Sequence, residues 1–361
     1  MKISFILPFK SLTGGIKVIF EYANQLQKGG HDVVLVYPFL PYLRAKKRLS
    51  PRGIYQLITD MIRNMKNGKS VTWFQLEARL VRVPWVSNTF LENSDIVIAS
   101  AWQTAYSVYR LKPNKGKKVY FIQDYEIWGN VSKEKVDSTW KMPLTKIVTS
   151  GWLKDKAENE FGAVAFGPLL YGVNFNQFYC KDKIFNKNKR IGMLYHTMEF
   201  KGIPDGISAF EMARQEHPNI QLVMFGMKRG PDIPEYVEFY ENPQQDKIRE
   251  IYSSCDIWVS PSRTEGFGMP PMEAMACKCA VVATNVGGIP HYAIKDRTAL
   301  VSKPRDIEAM SKNIIKLLNN TDELKRLSIS GYNHIRQFTW EKSAKKLEEI
   351  LYQIAQCSNT I

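Results

Sequence analysis

A strand, a helix and a second strand follow one another at the start of the chain, and this order restricts the folds available to it. Residues 2–8 have the composition of a buried strand, and residues 16–27 carry apolar side chains at helical spacing. Gly29 and Gly30 end that helix, and residues 33–37 form a second apolar run. Two such strands joined by a helix pair in parallel, and a parallel sheet is covered by helices on both faces. The amino-terminal sequence therefore predicts a doubly wound α/β domain.

The same alternation starts again after a linker at residues 172–190, which has little hydrophobic periodicity. Further strands are predicted at 95–99, 119–123, 146–149, 190–194, 221–225, 257–259 and 280–283. Further helices are predicted at 149–161, 204–216, 246–254, 272–277 and 307–319. A chain of 361 residues can bury two cores. We predict Rossmann-like domains at 1–175 and 176–340, with a nucleotide in the cleft between the carboxyl ends of their strands.

The composition is that of an ordinary globular protein, with 44% hydrophobic and 24% charged residues. No run of about 18 apolar residues occurs, so we predict no transmembrane helix and a cytoplasmic protein. The apolar start is too short for a signal peptide, because Lys10 interrupts it. Five cysteines stand at irregular spacing, and Cys277 and Cys279 have no second pair. We expect reduced thiols and no zinc site.

The formal net charge of +15 is concentrated in residues 1–175, where 25 lysines and arginines face 13 acidic residues. Such a field attracts polyanions or an anionic bilayer. One basic run stands among apolar residues, a mixture typical of a segment that rests on lipid headgroups. It comprises Arg44, Lys46, Lys47, Arg48 and Arg52. A solvated basic loop explains this run equally well. No nucleic-acid-binding motif occurs, so no nucleic-acid partner is expected.

Residues 261–290 contain the strongest chemical signal in the sequence. A loop with two glycines follows the strand at 257–259, and Pro270 and Pro271 then open a helix. Glycines let backbone amides approach a ligand closely, and a helix start offers N–H groups and the positive end of a dipole. This arrangement suits a diphosphate. Glu265 precedes the helix start and Glu273 lies in its first turn, so both carboxylates are placed to accept hydrogen bonds from hydroxyls beside the phosphates.

Seven residues separate Glu265 from Glu273, and this spacing resembles the E-x7-E motif of family 4 retaining glycosyltransferases. The surrounding S-x-x-E-G-F-G and the later V-G-G-I-P strengthen the resemblance. It implies a GT-B fold, with two Rossmann-like domains facing each other and the final helix, within 341–361, packed back on the first. It further implies that Glu265 contacts the donor sugar and Glu273 the ribose. The distal phosphate would be held by the backbone amides of Phe267, Gly268 and Met269.

Lys201 stands before Gly202, where the family places a basic residue that reaches the donor phosphates. Its ammonium would neutralise charge on the departing diphosphate. The family usually adds an arginine a few residues earlier, and none occurs between Gly192 and Lys201. His196 is the nearby candidate for a second phosphate contact. A structural histidine and a surface lysine are the alternative interpretations of these two residues.

Two further groups of residues lie in the first domain. Gly14 and Gly15 stand at the start of the first helix, where they form either an anion-binding turn or a plain tight turn. The resemblance implies that they lie against donor phosphate and acceptor. Gln123 and Asp124 occupy the place where many relatives carry a histidine, and the resemblance implies that they face the sugar. Tyr125 and Trp128 are suited equally to stacking on a sugar and to the core.

The activity implied by the resemblance is metal-independent, retaining transfer of a sugar from a nucleotide-diphosphate donor to an acceptor hydroxyl. No cofactor is expected, and the donor nucleotide is UDP, GDP or dTDP. The basic first domain suggests a saccharide or lipid-linked acceptor at the inner face of the membrane, in assembly of a cell-surface polysaccharide or glycolipid. The alternatives are a hydrolase or epimerase of nucleotide sugars with the same fold, or a non-catalytic protein that binds them.

Overall fold

The computed structural model describes residues 1–40, 42, 59, 71–128 and 131–356. The chain divides into two compact units. Unit 1 comprises Met1–Leu169 and Trp340–Ile361, and unit 2 comprises Leu170–Thr339. The predicted basic run from Arg44 to Arg52, and Cys357, lie outside the described residues. No helix in the described ranges is long and apolar enough to cross a membrane.

Unit 1 is built around a sheet with seven strands in its described part, in the order β3-β2-β1-β4-β5-β6-β7. All neighbouring strands pair in parallel. Its elements before the domain boundary are β1 (Lys2–Ile6), α1 (Gly14–Lys28), β2 (Asp32–Pro38), β3 (Arg79–Val83), β4 (Ile96–Ala99), α2 (Trp102–Tyr109), β5 (Lys117–Ile122), α3 (Lys133–Lys141), β6 (Thr145–Val148), α4 (Gly151–Phe161) and β7 (Ala165–Phe166). The central strands are buried on both faces, as the apolar runs in the sequence predicted.

Unit 2 repeats this architecture with six parallel strands among the described residues, in the order β10-β9-β8-β11-β12-β13. Its elements are β8 (Arg190–Leu194), α5 (Ile203–Glu216), β9 (Gln221–Gly226), β10 (Glu238–Glu241), α6 (Gln245–Ser254), β11 (Ile257–Ser260), α7 (Met269–Ala276), β12 (Ala280–Thr284), β13 (Leu300–Ser302), α8 (Ile307–Asn319) and α9 (Thr321–Ile335). The helices pack on both faces of the sheet, which is a doubly wound α/β arrangement.

The last helix, α10 (Trp340–Gln356), belongs to unit 1. Its apolar face packs on α1, where the Trp340 ring meets the Tyr22 ring edge-on with centroids 5.3 Å apart. The buried Tyr22 hydroxyl and the Ser343 hydroxyl are 2.7 Å apart. A hydrogen bond inside an apolar contact fixes the rotation of the helix, because any other register would bury an unpaired hydroxyl.

Several elements differ from the sequence-based prediction. The helix predicted at 272–277 begins at Met269, because Gly268 takes the left-handed conformation that starts it. Helices α2, α3 and α9 and strands β3, β7, β10 and β13 were not predicted. The four strands are short and lie at the sheet edges, where fewer apolar residues are needed.

Candidate functional site

The strand order of the second sheet reverses between β8 and β11. Strand β9 continues the sheet on one side of β8, and β12 continues it on the other side of β11. At such a switch point the loops leaving the two central strands run to opposite sides, and ligands of open parallel sheets bind in the crevice this creates. Residues 195–202 follow β8, and residues 261–268 follow β11.

Lys201 and Glu265 come together at this switch point. The Lys201 ammonium lies 2.7 Å from Oε1 of Glu265, and the Ser262 hydroxyl donates to the same oxygen at 2.7 Å. Glu265 is only 7% exposed, so its charge depends on these two donors for stabilisation. The pair lines a pocket, together with Leu194, Trp258, Ser260, Pro261 and Pro270. Two predicted residues, far apart in sequence, therefore share one pocket.

The start of α7 offers backbone amides beside this pocket. Pro270 and Pro271 lie in the first turn and carry no N–H group. The N–H groups of Phe267, Gly268 and Met269 donate no hydrogen bond to any residue that the structure describes. Phe267 is 3% exposed, and a backbone N–H group in buried surroundings is usually paired. Three consecutive amides of this kind at a helix start are suited to bind an anion.

Gly287 and Gly288 hold the loop that carries Glu265. A β-carbon at Gly287 would lie 1.8 Å from the carbonyl oxygen of Glu265, and one at Gly288 would lie 2.7 Å from the Cα of Phe267. Gly287 also has a φ of +58°, which other residues adopt at a cost. The V-G-G-I-P segment is therefore a platform on which the backbone of residues 265–267 rests directly.

Glu273 is held by a tyrosine that the sequence did not single out. The Tyr252 hydroxyl donates to Oε2 of Glu273 at 3.0 Å. Burial and the neighbouring Glu273 carboxylate raise the pKa of Tyr252 well above its usual value, so the phenol keeps its proton and remains the donor. Tyr252 lies on α6, 21 positions before Glu273, and no local motif links the two residues.

His196 lies near Lys201 as an uncharged donor. Its Nδ1 accepts the backbone N–H of Met198 at 3.0 Å, so the ring proton of the neutral form is on Nε2. Burial lowers the pKa of His196, and the charge of Lys201 lowers it further. The imidazole is therefore neutral at pH 7 and offers an N–H group, whereas the arginine of relatives offers a permanent charge.

Arg263 is the second residue that sequence analysis missed in unit 2. Its guanidinium forms a two-bond fork with Asp205, at 2.8 Å to each carboxylate oxygen, and a third bond to Glu199 at 2.7 Å. Its backbone N–H donates to the carbonyl of Phe200 at 2.7 Å. The loop after β11 is thereby bonded to the turn that carries Lys201.

In unit 1 the predicted residues lie at the carboxyl ends of β1 and β5. Gly14 and Gly15 begin α1, whose cap is the Thr13 hydroxyl, 3.3 Å from the Ile16 amide. A β-carbon at Gly15 would lie 3.3 Å from Nε2 of Gln123, so these two predicted residues are in contact. Asp124 accepts the backbone N–H of Tyr125 at 2.7 Å.

Tyr125 and Glu126, which follow Asp124, contact other parts of unit 1. Tyr125 is 8% exposed, hydrogen-bonded to Asp137 and packed edge-on against Trp140, so it belongs to the core and the sugar-stacking alternative is wrong for it. Glu126 accepts the backbone N–H of Trp102, the first residue of α2, at 2.7 Å. Burial raises the pKa of Glu126 to about 7.

The candidate residues thus form one group in each unit. Unit 2 contains the acidic, cationic and amide groups, and unit 1 contains the glycine pair with Gln123 and Asp124. Among the residues that the structure describes, no group of three or more histidine, cysteine or acidic side chains is arranged to hold a metal ion.

Several known proteins resemble this chain in sequence or in fold. The profile of the family described as "Glycosyl transferases group 1" matches residues 177–334. The capsular polysaccharide biosynthesis glycosyltransferase CapM of Staphylococcus aureus is 26% identical over 219 residues, which cover 55% of this chain and 57% of CapM. The O-antigen chain mannosyltransferase B of Escherichia coli is 30% identical over 121 residues, 34% of this chain and 30% of that protein. The chain therefore spans about half or less of the length of these relatives.

Solved structures resemble the chain over nearly its whole length. Sucrose-phosphate synthase from Thermosynechococcus elongatus superposes with a TM-score of 0.74 at 16% identity, covering 99% of this chain and all of that one. Anabaena HepE in complex with UDP and glucose gives a TM-score of 0.72 at 14% identity, with 98% and 100% covered. Residues 177–334 thus match the glycosyl transferases group 1 family, and the chain as a whole has the GT-B fold.

Proposed function

We propose that the protein is a glycosyltransferase that moves a sugar from a nucleotide-diphosphate donor to an acceptor hydroxyl, with retention of configuration and without a metal ion. The observation that carries this proposal is the set of donors at the switch point of unit 2. Lys201 lies beside the N-terminal end of α7, where three consecutive amides donate no hydrogen bond to a described residue. A cation and converging amides are the groups that bind a diphosphate.

Each residue of this site has a separate task in the proposed reaction. Lys201 and the amides of residues 267–269 bind the diphosphate and stabilise the charge that develops as it leaves. Glu265 uses Oε1 for Lys201 and Ser262, and its other oxygen accepts a hydroxyl of the donor sugar. Glu273, oriented by Tyr252, accepts a ribose hydroxyl.

The transfer step is proposed to occur on one face of the sugar. The bond between the anomeric carbon and the phosphate oxygen breaks, and the acceptor oxygen forms its bond from the same side. The acceptor proton passes to the leaving phosphate oxygen, so no separate carboxylate base is needed. Contacts of Gln123 and Asp124 with the sugar, and of Gly14 and Gly15 with phosphate and acceptor, stay predictions from the sequence.

The acceptor is proposed to be a saccharide or lipid-linked saccharide at the cytoplasmic face of a membrane. The name of CapM associates that relative with capsular polysaccharide, which supports a role in the assembly of a cell-surface polysaccharide or glycolipid. The net charge of +15, concentrated in the first 175 residues, supports attraction to an anionic surface. Flotation with anionic and neutral vesicles tests this part, and equal lack of binding to both would contradict it.

A panel of donors tests the activity itself. UDP-, GDP- and dTDP-sugars are screened by thermal shift with EDTA present, because a ligand that binds the folded state raises its stability. The best donor is then incubated with candidate acceptors, and the anomeric configuration of the product is read by NMR. Transfer yields a nucleoside diphosphate and a glycosylated acceptor with the donor's configuration. Free sugar alone would indicate a hydrolase, and binding without turnover would indicate a non-catalytic protein.

A further inference from the structure

Lys201 stands on a very short element. It ends a single 3-10 turn, Glu199–Lys201, and Gly202 follows with a φ of +63°. Within the turn, backbone hydrogen bonds run from Lys201 to Met198 and from Gly202 to Glu199, each at 3.0 Å. A turn with so few internal bonds does not fix a long lysine side chain by itself, because its last residue is free to fray.

The loop after β11 supports this turn from the outside. A β-carbon at Gly202 would lie only 2.1 Å from the carbonyl oxygen of Pro261, so the two backbones are in direct contact. Arg263 bonds to the turn through Glu199 and Phe200, and to the first turn of α5 through Asp205. Its bonds therefore reach residues on both sides of Lys201 in sequence.

The Arg263–Asp205 fork is the rigid part of this support. Asp205 is 6% exposed, and its two oxygens each accept one guanidinium nitrogen at 2.8 Å. Two parallel charge-assisted bonds fix distance and angle together, which a single bond does not. By contrast, the Glu199 side chain is 84% exposed, so solvent weakens that contact.

We propose that Arg263 is a positioning residue, which holds Lys201 where its ammonium reaches the donor diphosphate and keeps it aligned with Glu265. All three guanidinium nitrogens bond to carboxylates of the protein, so Arg263 acts through Lys201 and does not replace the arginine that relatives carry in the loop after β8. This inference rests on the proposed function, because it assumes that Lys201 binds a diphosphate.

A double-mutant cycle on nucleotide binding tests the proposal. The dissociation constants of UDP, GDP and dTDP are measured by calorimetry for the wild type, Lys201→Met, Arg263→Met and the double variant. Each single change should remove or misplace the charge-assisted bond between Lys201 and the diphosphate, so each should weaken nucleotide binding about tenfold. If Arg263 acts through Lys201, the double variant binds no more weakly than Lys201→Met alone.

Matched variants separate positioning from loss of folding. Arg326 forms a similar fork with Glu323 on α9, so Arg326→Met controls for the loss of an arginine–carboxylate pair and should leave the dissociation constants unchanged. If Arg263→Met alone unfolds, Arg263→Lys takes its place in the cycle, because lysine leaves a positive charge beside Asp205 but cannot form the two-bond fork.

The outcomes distinguish the positioning role of Arg263 from the proposed function of the protein. Losses that multiply, so that the double variant binds about a hundredfold more weakly than the wild type, would overturn the positioning role and leave the proposed function standing. A wild type that binds neither UDP nor GDP nor dTDP would overturn the proposed function, and the inference with it. A double variant equal to Lys201→Met supports both.

Discussion

Glu126 offers a direct test of the electrostatics in unit 1. Its carboxylate caps the first amide of α2, and its loop also carries Gln123 and Asp124. Burial raises the pKa of Glu126 from 4.5 to about 7. We predict that Glu126→Gln stabilises unit 1 at pH 8, because glutamine keeps an acceptor for the Trp102 amide and has no charge to bury.

The sign and the size follow from proton binding. Between pH 4.5 and 7 the unfolded carboxyl ionises while the folded one keeps its proton, so the wild type loses stability as the pH rises, and the loss is complete above pH 7. One pKa unit corresponds to about 1.4 kcal/mol, so the rise to about 7 is equivalent to about 3 kcal/mol. Part of this stability is already lost at pH 5, because the unfolded carboxyl is largely ionised there. The stability of Glu126→Gln relative to the wild type should therefore increase by about 2 to 3 kcal/mol between pH 5 and pH 8.

Urea unfolding followed by tryptophan fluorescence measures this difference. Every tryptophan except Trp258 lies in unit 1, so the signal reports that unit. Glu158→Gln, on the exposed part of α4, gives the pH dependence of an ordinary glutamate substitution. A difference between Glu126→Gln and the wild type that stays constant from pH 5 to pH 8 would refute the burial argument.

Three further predictions concern unit 2. Glu265→Gln should lower turnover about a hundredfold without weakening UDP binding, as measured by product formation and calorimetry, and wild-type turnover would contradict its role. Tyr252→Phe releases Glu273, so UDP affinity should fall about three- to tenfold and dUDP affinity less, and equal losses would argue against ribose recognition. Gly287→Ala should lower the free energy of unfolding of unit 2 by more than about 2 kcal/mol, because strain at φ +58° adds to a clash. Gly162→Ala in unit 1 is the control for backbone strain alone, because Gly162 has a φ of +60° and open space around its β-carbon position. If calorimetry finds that both substitutions lower the free energy of unfolding equally, the clash at Gly287 is refuted.

The centre of the candidate site could be predicted because its parts are contiguous in sequence. Strand β11, the loop with Glu265 and helix α7 follow one another within 20 residues, from Ile257 to Ala276. Glycine and proline at fixed offsets define such a loop, since each excludes most other backbone conformations. The resemblance also assigned Lys201 and Glu265 to one donor, and the structure shows why they meet: β8 pairs with β11, so the loops after both strands lie at the same edge of the sheet.

The supporting residues could not be predicted, because their partners are distant and their types are common. Arg263 lies 58 positions from Asp205, and Tyr252 lies 21 positions from Glu273. An isolated arginine or tyrosine is typical of many surfaces, and only the folded chain shows which carboxylate it meets. The short edge strand β10 shows the same limit, since two of the four residues in its sequence, EFYE, are charged, whereas buried parallel strands are nearly continuous apolar runs.

The histidine at position 196 changes how the site must balance charge. The proposed donor diphosphate carries at least two negative charges, and the family resemblance implies an arginine and a lysine to meet them. The pKa of His196 is lowered by partial burial and by Lys201 itself, because a cationic imidazole would place a second positive charge near the Lys201 ammonium. Lys201 and the amide dipoles of residues 267–269 must then carry most of the balance. A site that depends so strongly on one ammonium has little tolerance for its displacement, which is the physical reason to expect a rigid arginine fork behind the turn that holds it.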